Sequence, residues 1–316
     1  MLRTFRFPIP ILSVGGLEAG GTGKTPIARL LLRALLNDGK RPGLLTRGYG
    51  RTEKGLVRRQ PGEALHPHRL GDEPVMMSAG LDIPIVASAD RVAGVQALIE
   101  MGCDVAVLDD GFAHRRLERS LNIVAMRAEA PFGNGRLIPR GRLRESPRGL
   151  NRADLLWLHH RQTSRPSPSL PSNERWSQKP TILSRTKLEW LHDEHPGGPP
   201  PTPVLLVSGI ARPEDLSNSC HELGLQTIGH CAFSDHHRYT QADIHLIEEK
   251  ACEGGAGSIV TTAKDWAKIK HLDLTATYRI LDTSIEIISG LELLAQKLGV
   301  SPSSLAFAQT TEENTA

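Results

Sequence analysis

Apolar positions fall in short unbroken runs through the first half of the chain. Residues 9–14, 43–46, 83–87, 105–108 and 121–126 show almost no polar alternation. Strands buried on both faces of a parallel sheet read this way, because neither face meets water. Between the first two runs the period changes. Ile27, Leu31, Ala34 and Leu35 share one face of a helix predicted over 25–37, and Asn37-Asp38-Gly39 supplies its stop signal. Strands alternating with helices predict an α/β fold with right-handed crossovers. The pattern breaks over 161–203, where SRPSPSLPS and HPGGPPPTP predict an irregular stretch. It resumes with strands at 204–207 and 258–262 and helices at 213–223, 242–251 and 291–298. At 316 residues the chain exceeds one average domain. The expected organisation is a first domain over 1–153, a second, smaller α/β domain over 154–300 and a frayed polar tail over 301–316.

The strongest local chemistry lies between the first strand and the first helix. Gly20-Gly21-Thr22-Gly23-Lys24-Thr25 has the strand–loop–helix context of a phosphate-binding loop. Glycines let backbone amides turn inward around a polyphosphate, and the helix N-terminus adds positive potential. Lys24 would reach the β- and γ-phosphates, and the Thr25 hydroxyl would meet Mg²⁺. The strict pattern places glycine at position 18, where this chain has Glu18. Such a loop turns the general α/β expectation into a P-loop NTPase-type, mostly parallel sheet flanked by helices. ATP and Mg²⁺ are the expected ligands.

A P-loop enzyme also needs an acid at the end of a hydrophobic strand to position the metal. The run 105–108 ends in Asp109-Asp110-Gly111, so one of these two carboxylates is expected beside Mg²⁺. Asp72 and Glu73 are candidates to orient or deprotonate an attacking hydroxyl. His236 is a candidate to complete a carboxylate–imidazole dyad with Asp72. The neighbours His159-His160 and His236-His237 point to opposite faces of an extended segment, which argues against a shared metal.

A formal net charge of +3 is too small to argue for a nucleic-acid partner. Its distribution says more. Arg136, Arg140, Arg142, Arg144, Arg148 and Arg152 share a short segment with one acid, Glu145. Such a run reads as a solvated face, as a phosphate holder or as a surface for an anionic membrane. Cys103, Cys220, Cys231 and Cys252 form no C-x-x-C pair and predict reduced, buried thiols. The sequence has neither a bilayer-length apolar run nor an apolar leader with a small-residue cleavage site.

Taken in order, the segments PIPILSVGGLEAGGTGKTP (8–26), LTRGYGR (45–51), GDEP (71–74), ASADR (87–91), LDDGFAHR (108–115), GRLRES (141–146), FSDHH (233–237) and TTAKD (261–265) resemble the tetraacyldisaccharide 4'-kinase family of Gram-negative bacteria. The resemblance covers most of the chain. It implies a two-domain P-loop kinase at the cytoplasmic face of the inner membrane, with its active site in the interdomain cleft. It implies transfer of the ATP γ-phosphate to the 4'-hydroxyl of a tetraacylated, 1-phosphorylated glucosamine disaccharide, the lipid A precursor. No obligate protein partner is expected. By motif position Lys24 and Thr25 bind phosphates and Mg²⁺, and Asp109 and Asp110 are the metal-side acids. Asp72 is the catalytic base, with His236 as its partner. Arg91, His114, Arg144 and Glu145 line the site.

The chain departs from the family's usual residues at Gly16 (Asn), Ala113 (Gln) and Ser146 (Pro). Family members usually begin with a longer amphipathic segment, whereas the first strand here starts almost at once; either the start site is misassigned or membrane contact uses other surfaces, such as Phe5, Phe7 and the arginine run. Two other readings compete: a P-loop kinase of a soluble metabolite, and a nucleotide-dependent switch. A GTPase would carry an N-K-x-D guanine reader, whereas Lys264 and Asp265 are adjacent here.

Overall fold

The computed structural model describes residues 4–78, 80–160, 175–191, 200–210, 212–235 and 237–309. It divides into two compact units: Met1–Lys187 with Ser284–Ala316, and Leu188–Thr283. The sequence boundary at residue 153 falls inside the first unit.

In chain order the first unit contains β1 (Ile11–Gly15), α1 (Lys24–Asn37), β2 (Pro42–Thr46), β3 (Val57–Arg59), α2 (Pro67–Leu70), α3 (Asp72–Ser78), β4 (Ile85–Ala87), α4 (Arg91–Glu100), β5 (Val105–Asp109), β6 (Leu121–Arg127), β7 (Leu155–His160) and most of β8 (Thr181–Trp190). Its sheet runs β3-β4-β2-β5-β1-β6-β7-β8. All these neighbours are parallel except β3 and β4. Every residue of β1, β2, β5 and β7 is buried, which is the physical reason their sequences lack polar alternation. β7 lies beyond residue 153 yet pairs with β6 from Ile123↔Leu155 to Arg127↔His159, which places it in the first unit.

α1 buries Ile27, Leu31, Ala34 and Leu35, as its periodicity predicts, and Asp38 caps its C-terminus. Two expectations fail here. β8 runs through the stretch read as irregular, with Ile182 and Ser184 buried. The surrounding Pro and Ser residues masked its signal, although residues 161–174 and 192–199 lie outside the described set. Nor does the chain fray at Ser301. After α8 (Leu291–Leu298), Ser301 caps α9 (Pro302–Phe307), whose Leu305 is fully buried in the α1 core. The Asp38 carboxylate accepts hydrogen bonds from Ser301 N at 2.8 Å and Ser304 Oγ at 3.1 Å. One buried leucine and this polar tie outweigh the polar composition.

The second unit contains β9 (Val204–Ser208), α5 (Pro213–Glu222), β10 (Thr227–Ala232), α6 (Gln241–Glu253), β11 (Ser258–Thr262), α7 (Ala263–Ile269) and the first half of β12 (Tyr278–Ser289). Its strands are parallel in the order β10-β9-β11-β12. A Thr240–Asp243 capping box starts α6. The Thr262 hydroxyl caps α7, and the buried Asp265 carboxylate accepts from Gly209 N at 3.0 Å and Thr262 Oγ1 at 2.8 Å. The four thiols are free. Cys103 and Cys220 are buried as expected, Cys231 is half-buried and Cys252 is exposed. Among the described residues no helix is long and apolar enough to cross a membrane.

Candidate active site

β1, β2, β5 and β6 are parallel, so their carboxyl ends share one sheet edge, where ligands of α/β folds bind. The loop from β1 to α1 lies there. Gly20, Gly21 and Gly23 have φ of +74°, +69° and +83°. Gly23 is the α1 N-cap, and its carbonyl accepts Ile27 N at 3.1 Å. A β-carbon on Gly23 would also come within 3.0 Å of His159 Cδ2, so both conformation and space require glycine. α1 has no side-chain cap, which leaves its first amides available to an anion. Lys24 and Thr25 open the helix, and the Thr22 hydroxyl is buried with no hydrogen-bond partner among the described residues. His159, weighed above as half of a histidine pair, supports this loop. Its ring nitrogens bond Ser184 Oγ at 2.9 Å and Thr186 Oγ1 at 3.1 Å, while His160 Nδ1 lies 3.4 Å from Glu129. The two rings have separate partners, as the alternation of a strand requires.

Asp109 and Asp110 leave the end of β5 in different environments. Asp110 adopts φ +48°, unusual for a residue with a side chain. Arg144 grips its carboxylate through both nitrogens, at 2.5 and 2.6 Å, and also donates to Gly16 O at 2.9 Å. Lys24 Nζ lies 3.5 Å from the same carboxylate. Burial pushes the Asp110 carboxyl up, but the Arg144 hydrogen bonds and the Lys24 charge outweigh it and hold it below the usual range. Asp109 is 5% exposed, and Thr46 Oγ1 contacts it at 3.4 Å. Burial, then the charges of Glu73 and Asp110, push it up to about 6.

Arg91 is also 5% exposed; it donates to Ser88 O and Asp109 O, both at 3.2 Å. Burial lowers it to about 10, still cationic at neutral pH. It therefore sits beneath Asp109, tied to that residue's backbone carbonyl. His114 has a buried Nε2 with no hydrogen-bond partner among the described residues. Burial and the charges of Arg91, Arg119 and Arg116 hold its imidazole below the ordinary histidine value. Glu145 accepts both hydrogen bonds from Arg152, at 2.8 and 2.7 Å, and Arg152 stacks over Phe112 at 4.6 Å. That arrangement braces the arginine segment.

Asp72 and Glu73 occupy the first turn of α3. Gly71 (φ +97°) lets this turn approach the loop that follows β2, because a β-carbon there would meet Tyr49 O at 2.7 Å. Glu73 is near enough to Asp109 to raise its pKa, which brings the GDEP segment to the acid pair. His236 lies outside the described residues.

The donor set suits Mg²⁺ carried by a nucleotide. Asp109 is a buried carboxylate whose pKa stays raised despite the nearby charges of Lys24 and Arg91, and Thr25 offers a second hard oxygen. Among the described residues no group of three His, Cys, Asp or Glu side chains forms a ready-made cage, and Mg²⁺ that keeps waters and phosphate oxygens needs none. Binding requires the ionised carboxylate. The Mg²⁺ concentration for half-maximal turnover is therefore expected to rise as pH falls through about 6, approaching tenfold per unit below it. Asp109 is raised in the folded chain, so its contribution to stability is present below the ordinary carboxyl value and lost as pH rises through about 6. Asp109→Asn is accordingly expected to raise Tm at pH 8 while abolishing Mg²⁺-dependent turnover. A lowered Tm, or retained turnover, would show that Asp109 is not the strained metal-side acid.

The profile of tetraacyldisaccharide-1-P 4'-kinase matches residues 1–298. The tetraacyldisaccharide 4'-kinase of Syntrophus aciditrophicus is 36% identical over 297 residues, covering 87% of this chain and 79% of the relative. That of Anaeromyxobacter dehalogenans (strain 2CP-C) is 31% identical over 318 residues, covering 94% and 83%. A crystal structure of LpxK from Aquifex aeolicus in complex with ATP superposes with a TM-score of 0.71 and 26% identity, over 98% of this chain and 91% of that one. A glycine loop on a helix N-terminus, two unlike aspartates at the end of the neighbouring strand and a profile match along most of the chain agree: this chain belongs to the tetraacyldisaccharide-1-P 4'-kinase family.

Proposed function

We propose that this chain transfers the γ-phosphoryl group of ATP to the 4'-hydroxyl of tetraacyldisaccharide 1-phosphate, the lipid A precursor. The observation that carries the reading is the convergence of Lys24, Asp110 and Arg144 beside the glycine loop, with Asp109 one residue away. Phosphoryl transfer demands little beyond positioning and charge neutralisation, and this cluster supplies both. The loop amides and Lys24 hold the phosphates. Thr25 and Asp109 would hold Mg²⁺, which when bound would offset phosphate charge. Asp110 keeps Lys24 and Arg144 at the loop, and Arg91 fixes the Asp109 backbone. Asp72 orients or deprotonates the hydroxyl, with His236 as its partner, and His114 offers an unused imidazole to the substrates.

The test is phosphorylation in detergent, followed by mass spectrometry for one added phosphoryl group. The acylated disaccharide should be converted and a deacylated one should not. Equal conversion of both would favour a soluble acceptor, and ATP binding without transfer would favour a switch.

Peripheral contact with the cytoplasmic face of the inner membrane fits the same reading. Phe5 and Phe7, expected above to serve it, instead pack against a core cluster around Ile11 and Leu117. The better surface is the loop after β6. Leu137 and Ile138 are 49% and 54% exposed, and Arg136, Arg140 and Arg142 beside them are exposed. Apolar tips ringed by arginine suit an anionic bilayer interface. Leu137→Glu with Ile138→Glu should weaken binding to anionic vesicles by about 10²–10⁴-fold, from about 1.5–3 kcal/mol lost per buried side chain. Unchanged vesicle binding would exclude this loop.

A further inference from the structure

The side chain standing where the strict phosphate-loop pattern has glycine is neither solvated nor idle. Glu18 is 2% exposed, inside a loop built to hold a polyanion. Its Oε2 lies 3.2 Å from Arg127 Nε and its Oε1 3.3 Å from Arg127 Nη2, a two-point grip. Arg127 ends β6, next to β1, and is itself only 22% exposed. The pair fills its space: a β-carbon on Gly133 would come within 2.9 Å of Glu18 Oε1. Backbone bonds then carry the tie outward. Arg144 N donates to Leu17 O at 2.7 Å, and Ala19 N donates to Arg142 O at 2.9 Å. In register, Arg127 lies opposite His159, whose ring packs under Gly23 at the far end of the loop. Two side chains paired across β6 and β7 therefore support both ends of one phosphate loop.

We propose that Arg127 and Glu18 form a positioning pair for ATP: Arg127 fixes the entry of the phosphate loop and cancels a carboxylate charge that would otherwise repel the triphosphate. The inference rests on reading residues 20–25 as the ATP phosphate loop. Neither residue touches substrate; both act through the loop backbone. The sign of the effect follows from the asymmetry of buried ion pairs. Removing the cation alone leaves an uncompensated buried negative charge beside the phosphates, whereas removing both charges does not. Arginine's planar fork also cannot be replaced by the point charge of lysine.

The test compares ATP KM, kcat, the Kd for Mg·ATP by calorimetry and Tm across wild type, Glu18→Gln, Arg127→Met, Arg127→Lys and the double Glu18→Gln/Arg127→Met. Arg127→Met should raise ATP KM and Kd by roughly tenfold to a hundredfold, with kcat at saturating ATP changed less than about threefold. Glu18→Gln should change KM by less than about threefold, and the double variant should recover most of the ATP affinity lost in Arg127→Met. If Arg127→Met does not fold, Arg127→Lys decides. A severalfold rise in KM supports the pair, and an unchanged KM overturns it. A fall in Tm with ATP affinity intact, or a double variant no better than Arg127→Met, also overturns it. Wild-type protein that bound no ATP would overturn the phosphate-loop reading itself, and this inference with it.

Discussion

Asp72→Ala is expected to lower kcat by roughly 10²–10⁴-fold, the usual contribution of a general base, with a much smaller change in ATP KM. Asp72 begins α3 at the sheet edge that carries the phosphate loop. Gly71, in a conformation and a space that exclude side chains, sets the direction in which this turn leaves. Its neighbour Glu73 is felt electrostatically by Asp109, so Asp72 stands one residue from a group already coupled to the metal-side acid. In the proposed site ATP is held by the loop and Lys24, so nucleotide affinity should survive. The competing base is Glu73. Glu73→Gln tests it in parallel, and that variant should keep most of the turnover. Near-normal kcat in Asp72→Ala would remove the assigned role, and a collapse in Glu73→Gln alone would transfer it.

The second large effect is expected from Lys24→Met, with kcat/KM falling on the order of 10³-fold, the scale of losing one preorganised donor to a developing charge. Lys24 is the first residue of α1, and its ammonium lies 3.5 Å from Asp110, with the side chain 13% exposed. Arg144 holds Asp110 separately, at 2.5 and 2.6 Å, so the fold retains a cation for that carboxylate after the substitution. Tm should therefore move by only a few degrees while transfer is lost. This separation of stability from activity distinguishes a phosphate ligand from a structural ion pair. A large fall in Tm with residual activity in the folded fraction would make Lys24 structural.

The sequence made legible what depends on neighbours along the chain. Runs without polar alternation marked β1, β2, β5 and β6, because both faces of each are covered. The 3.6-residue period marked α1, and the glycine–lysine loop declared its chemistry through spacing alone. What stayed hidden depends on partners far apart in sequence. Nothing around Glu18 announces Arg127, and nothing around Asp110 announces Arg144. Arg91 carries the same charge as the exposed arginines, yet folding buries it under Asp109. β8 was masked by surrounding Pro and Ser residues, and α9 by a polar composition that conceals one decisive leucine. Both elements depend on a buried surface that composition does not register.

The central claim is that amides and Lys24 at this loop hold ATP while acids from separate segments direct its terminal phosphoryl group to a sugar hydroxyl. Label placed on the γ-phosphate of ATP, followed into purified tetraacyldisaccharide 1-phosphate with wild type and Lys24→Met side by side, tests it most directly. The account predicts label at the 4' position with wild type and next to none with the variant. Label released as free phosphate, or equal transfer by both proteins, would contradict it.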